Sequence, residues 1–150
     1  MGINSIFDIA GQAMSAQSVR MNTVASNLAN AEAAASSVDE VYRARVPVFA
    51  AVQRNANQAW GEPSEFDMPF EGEVGLGVQV LGIVESSAEL QRRYEPDHPL
   101  ADEEGYVLYP NVNVVEQMAD MISASRAFQI NVEMMQTAKS MAQRLLNLGQ

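Results

Sequence analysis

A chain of 150 residues suffices for one ordinary domain, or for two small pieces held in one chain. Nine basic side chains against nineteen acidic ones leave a formal charge of −10, which excludes a nucleic-acid binder, because backbone phosphates must be met by clustered Lys and Arg. With no cysteine and one histidine there is no disulfide framework, no thiolate nucleophile and no residue set for a transition-metal centre.

Glycine and proline divide the chain into three. All six prolines and six of the nine glycines fall between 47 and 110, while 12–46 and 111–148 contain neither. Two breaker-free arms therefore flank a turn-rich middle. Charge divides it in the same way. Residues 1–31 and 111–150 are each neutral overall, and 32–110 hold fifteen acids and five arginines, the whole of the −10. Neutral arms can pack closely against copies of themselves, whereas an acidic middle favours water.

The first arm carries a seven-residue period. Phe7, Met14, Met21 and Leu28 share one register, and Ile3, Ala10, Gln17, Val24 and Ala31 the companion register. Of these only Gln17 is polar, so the spacing predicts a coiled-coil-type seam on a helix from about 5 to 31, with Ser5 and Asp8 as a capping box. The other face (Gln12, Ser15, Ser18, Asn22, Ser26) is polar but almost uncharged. Small polar side chains of this kind suit contact with more than one neighbour.

The middle reads as a small β module. Residues 43–52 alternate with Val46, Val48, Ala50 and Val52 on one face. Val74, Leu76, Val78 and Val80 alternate again until Gly82 breaks the phase, which predicts a bulge, with Ile83 and Val84 continuing the strand. Residues 105–109 form a third short candidate, and Gly61–Glu73 reads as an exposed loop.

After Pro110 the second arm predicts a helix of some 35 residues, capped at Asn113 and stopped at Gly149. It bears two apolar stripes. One is Val114, Met118, Met121, Phe128, Val132, Met135, Ala142 and Leu146; the other is Ala124, Ala127, Met134, Ala138, Met141, Leu145 and Leu148. Stripes 40–50 Å long, by the helical rise of about 1.5 Å per residue, exceed what a module of roughly 80 residues can cover. That arithmetic, with methionine's adaptability, favours packing between subunits over packing within one.

Catalytic constellations are absent from the pattern. His98 stands alone in a proline-locked turn (Glu95–Pro99), and Asp102, Glu103 and Glu104 lack the spacing of a cation loop. Gly75, Gly77 and Gly82 are mis-spaced for a dinucleotide fingerprint, and no G-x-S-x-G or P-loop occurs. These residues predict neither an enzyme nor a cofactor site. No stretch reaches the length of a membrane span, and the amino terminus, with Asp8 and no basic segment, does not read as a cleavable Sec signal.

The run Asn27-Leu28-Ala29-Asn30-Ala31 resembles the amino-terminal signature of the flagellar rod, hook and hook-associated axial proteins. Ile6–Gly11 and Met14–Gln17 upstream are similar to the proximal-rod members of that family. So are Tyr94–Pro96, Pro99–Asp102, Gly105–Val107, Tyr109–Asn113, Met121–Gln129 and Leu146–Gly149. Together they span about 3–31 and 92–149, in order. Two stretches depart from the family pattern: Val41-Tyr42 stands where related proteins often have Gly-Tyr, and Ala33–Ser37 where a polar, Gly-bearing connection is usual.

The resemblance implies an α+β structural subunit of the bacterial flagellar rod. Its long N- and C-terminal helices (within 1–35 and 111–150) would pair as a coiled-coil domain lining the export channel, with the β-rich acidic module (36–110) outside. It implies helical stacking that transmits motor torque across the periplasm. The implied partners are other copies, neighbouring rod proteins, the adaptor at the rod base and the flagellar type III export apparatus, with no cofactor, metal or nucleic acid. The expected subunit-contact residues are Phe7, Met14, Met21, Val24, Asn27, Leu28, Asn30, Met118, Met121, Ile122, Arg126, Phe128, Val132, Met135, Leu145 and Leu148. The competing reading is a soluble coiled-coil adaptor or secreted effector of fixed oligomeric state, with the β module as its binding head.

Overall fold

A computed structural model describes residues 3–53 and 75–148. Its elements run α1 (Ile3–Ala29), β1 (Arg45–Gln53), β2 (Gly75–Glu85), β3 (Gln91–Tyr94), β4 (Tyr106–Tyr109) and α2 (Val114–Leu148). The fold is α+β, as the composition breaks predict. The expected loop over 61–73, Val74 and the helix stop at Gly149 lie outside the described residues.

Helix fills 12–29 of the first breaker-free stretch and 114–148 of the second, where nothing interrupts the hydrogen-bond ladder; 30–44 lacks Gly and Pro as well, yet leaves the helix after Ala29. α1 already includes Ser5, so the Ser5–Asp8 pair does not mark its start. At the other arm the predicted cap holds: Asn113 Oδ1 accepts from the backbone N–H of Val115 at 3.1 Å and of Glu116 at 3.4 Å.

The two helices pack along each other in opposite directions. Arg20 meets Asp120 and Asn27 meets Gln117, so climbing α1 descends α2. Their buried positions are mostly small: Ala10, Ala16, Thr23 and Val24 on α1, and Ala124 and Ala138 on α2. On α2 the sheltered line runs Gln117, Met121, Ala124, Phe128, Asn131, Met135, Ala138, Ala142, alternating steps of four and three. It takes members from both expected stripes and adds Gln117 and Asn131; Ala124 and Ala138 are its fully buried positions, where the helices come closest, and Met121, Phe128 and Met135 stay half-buried.

β1 and β2 form an antiparallel ribbon laid against α1. Its register slips between Val48 and Phe49, where β2 passes from Gly82 to Val80, so Leu81 is the extra residue of the predicted bulge. Exposure does not follow a simple alternation along β1. Pro47, Ala50 and Val52 are half-buried, while Val46 and Val48 are exposed. Gly77, with φ of 147°, holds a backbone conformation that other residues rarely adopt, where β2 lies beside the Gln12 side chain of α1.

A second ribbon, β3–β4, shares no strand with the first. β3 was not legible in the sequence because all four of its residues are exposed and none alternates. It is held by cross-strand rings and guanidiniums: Tyr94 stands edge-on to Tyr106, Arg92 covers Tyr106, and Arg93 covers Tyr109 at 4.3 Å. Ala35 bridges to Leu108, and Glu32 pairs with Arg93 at 3.3 Å, which fixes this ribbon to the segment after α1.

Candidate assembly surface and the junction that positions it

The apolar core sits where the end of α1, the following segment and the start of α2 meet. Ala31, Ala44 and Val112 cluster there with Tyr42 packed on them, and Val107, Tyr109 and Pro110 are buried close by in sequence. Two asparagines bind the same region through polar contacts. Asn111 Oδ1 accepts from Ala44 N at 2.8 Å, and its Nδ2 donates to Ala88 O at 2.9 Å.

Asn27 is buried, at 1% exposure, and uses every hydrogen-bonding position of its amide. Its Nδ2 donates to Arg45 O (2.8 Å) and Gln117 Oε1 (2.9 Å). Its Oδ1 accepts from Tyr42 O–H and from Arg45 N, each at 2.9 Å. One side chain therefore joins α1, the start of β1 and α2. Tyr42 reaches it without a left-handed turn, since no described non-glycine residue has positive φ. Val41, where related proteins often have Gly, is instead buried at 6%.

The expected contact residues sort into three groups. Val24 and Asn27 are buried within the subunit. Phe7, Met14, Met21, Leu28, Asn30, Met121, Phe128, Val132 and Met135 are half-buried. Met118, Ile122, Arg126 and Leu145 are exposed, and the side chain of Leu148 lies outside the described set.

Large exposed apolar residues are concentrated on α2. Val114, Val115, Met118 and Ile122 occupy its first part, and Ile130, Met134, Met141 and Leu145 its second. At 3.6 residues per turn the two groups fall on opposite flanks of the line that faces α1. The exposed positions of α1 are Asp8, Ser15, Asn22, Ala25 and Ala29, small and nearly uncharged. The β1–β2 ribbon adds Val46, Val48, Phe49, Leu81, Ile83 and Val84. Sequence pattern alone did not isolate the exposed flanks, because it cannot tell which part of an apolar helix its partner covers.

Nothing at this surface is arranged for chemistry. An open cleft of about 250 Å³ between α1 and the ribbon is lined by Val19, Asn22, Thr23, Ser26, Arg45 and Ile83; Arg45 is the lining residue that carries charge. Among the described residues no group of acids and histidine could hold a metal. His98 Nδ1 accepts from Leu100 N at 3.1 Å. Asp102 Oδ1 accepts from Glu104 N and Tyr106 N, so both residues shape a turn. Among the described residues no helix is long and apolar enough to cross a membrane.

Comparison with known proteins agrees with this geometry. A family model described as flagella basal body rod protein matches residues 7–32, and one described as flagellar basal body rod FlgEFG protein C-terminal matches 103–148. The flagellar basal-body rod protein FlgC of Salmonella typhimurium is 44% identical over 150 residues, covering both chains completely. The chain belongs to the FlgC family. FlgC of Escherichia coli O157:H7 is 45% identical over the same full length, and FlgC of Borreliella burgdorferi 36% identical over 154 residues, covering all of this chain and 99% of its relative. Membership makes the chain a structural rod subunit of the flagellar basal body and not an enzyme. The two matched segments contain most of α1 and all of α2, the elements that Asn27 joins.

Proposed function

We propose that this subunit builds the proximal rod by helical stacking of its terminal helices, whose paired coiled coil forms an inner domain from 1–35 and 111–150, with 36–110 outside. The observation that carries this reading is the distribution of apolar residues on α2: Ala124 and Ala138 are fully buried, Met121, Phe128 and Met135 beside them are half-buried, and eight further large apolar side chains remain in water. Among the described side chains, the eight exposed apolar residues of α2 range from 36% (Val114) to 77% (Val115) exposed and average about half. Covering them removes the equivalent of roughly four side chains from water, on the order of 6–12 kcal/mol, against which the cost of ordering and association is set.

The partners are other copies and the adjoining rod proteins, with the adaptor at the rod base below. Torque passes from subunit to subunit through packed helices, so stiffness comes from covering each helix on several sides. The sixteen contact residues named from the sequence serve this in two ways: Val24 and Asn27 shape the subunit, and Met118, Ile122 and Leu145 meet neighbours. The route is the flagellar type III export apparatus, into a periplasmic rod with a central channel.

The test is complementation of a flagellated strain that lacks its own rod subunit of this family. Supplying this chain restores basal bodies and swimming, and a chain carrying Met21→Asp with Leu28→Asp does not. Normal swimming by that double variant refutes the helical-seam role. A particle of fixed small size across concentrations, with no incorporation into basal bodies, would favour a soluble adaptor instead.

A further inference from the structure

We propose that Asn27 is the register lock of the subunit: the side chain that decides which turn of α1 faces which turn of α2, and where the β1–β2 ribbon starts along both. Apolar packing cannot make that choice by itself. Phe7, Met14, Met21 and Leu28 repeat every seven residues on α1, and Met121, Phe128, Met135 and Ala142 do so on α2. Sliding one helix by a heptad, about 10 Å, sets apolar residues against apolar residues again. The small positions Ala124 and Ala138 are two heptads apart with Asn131 midway between them, so a slip of one heptad sets an asparagine where an alanine packs, a steric cost that adds to the polar one.

Two polar links between the helices do not repeat. Arg20 pairs with Asp120 at 2.6 Å, but both side chains are about one-third exposed (33% and 38%). Pairs in that setting contribute little and are screened by salt. Asn27 differs in kind. At 1% exposure, with all four bonding positions filled, it leaves several buried polar groups unpaired if the helix moves by one heptad. The broken set would include both backbone groups of Arg45, which belong to the ribbon, as well as Gln117 and Tyr42. A single buried Asn that fixes the alignment of an otherwise repetitive helical seam is the best-attested use of a polar group in such a position. Here the same residue also aligns a sheet ribbon, so the exposed flank of α2 and the ribbon keep one fixed offset for every copy that stacks.

The chain has no cysteine, so cross-linking can read the register directly in the full-length protein. Two double variants serve: Arg20→Cys with Asp120→Cys reports the observed register, and Arg20→Cys with Ala127→Cys reports a slip of one heptad. Both delete the Arg20–Asp120 pair, which leaves Asn27 as the lock under test. A short thiol cross-linker should join 20 to 120 at least tenfold more efficiently than 20 to 127. Adding Asn27→Leu should bring the two yields within about threefold of each other while helical content by circular dichroism is retained. The combination Tyr42→Phe with Gln117→Leu, which removes two of the four bonds and keeps Asn27, should give an intermediate ratio and carries the test if Asn27→Leu does not fold. The proposal is overturned if the ratio keeps its original value in a folded Asn27→Leu chain, or in the Tyr42→Phe/Gln117→Leu chain. It is equally overturned if the chain with Asn27 intact shows no preference between the two pairs.

Discussion

Placing an acid on each exposed flank of α2 separates folding from assembly. Ile122 is 53% exposed and Met134 50% exposed, and they lie on opposite sides of the line that faces α1. Ile122→Asp or Met134→Asp removes about half a buried side chain's worth of packing at most, and surface changes of this kind alter subunit stability by about 0.5 kcal/mol or less. On the proposed stacking, the same position faces a neighbour in the assembled rod. There the change forfeits about 1–1.5 kcal/mol of apolar burial and adds a desolvated, unpaired carboxylate that costs several kcal/mol more. A loss of about 4 kcal/mol per contact corresponds to roughly a thousandfold weaker association, repeated at every copy. The assay is paired: urea denaturation of the isolated chain, and recovery of basal bodies with swimming in the complemented strain. The expected outcome is an unchanged urea midpoint with no rods. Swimming by both variants, or a loss of more than about 1.5 kcal/mol in the isolated chain, would refute the assignment of these flanks to neighbours. Ala124→Asp supplies the contrast, because that residue is 0% exposed and the change should unfold the helix pair outright.

Two further outcomes concern the β3–β4 ribbon. Gly105→Ala should destabilise it by about 1–2 kcal/mol, because Gly105 has φ of 81° and a Cβ there would come within 3.0 Å of Tyr94 and 3.2 Å of Pro96; urea denaturation with hydrogen exchange over 91–109 reads the loss, and unchanged protection counts against it. Burial raises the pKa of the Tyr109 phenol above its ordinary 10.0, and the hydrogen bond it donates to Glu95 at 3.0 Å raises it further. The folded state therefore favours the protonated phenol: its contribution is complete below pH 10 and is lost as pH climbs through the higher folded value. An ultraviolet titration should show one tyrosine fewer ionising late in Tyr109→Phe than in the parent, and identical curves would contradict the cause.

The sequence by itself determined the helical arms, the β middle and the family. Long stretches without Gly or Pro leave the helix ladder unbroken, Asn113 supplies a cap that needs no tertiary partner, and Gly82 breaks a period of two wherever the strand packs. The Asn27–Ala31 run marked the α1 end of the junction but not what Asn27 does. Its four hydrogen bonds go to three residues, at positions 42, 45 and 117, and no local pattern says that these converge. The strand at 91–94 was equally invisible, since its own Arg92, Arg93 and Tyr94 hold it to the rings of Tyr106 and Tyr109 on the neighbouring strand and it has no buried face of its own. Tertiary structure alone decided which apolar residues of α2 are covered. Helical periodicity places residues on a face, but the closeness of the partner backbone decides that Ala124 and Ala138 are fully covered while Met118, Ile122, Met134 and Leu145 stay exposed.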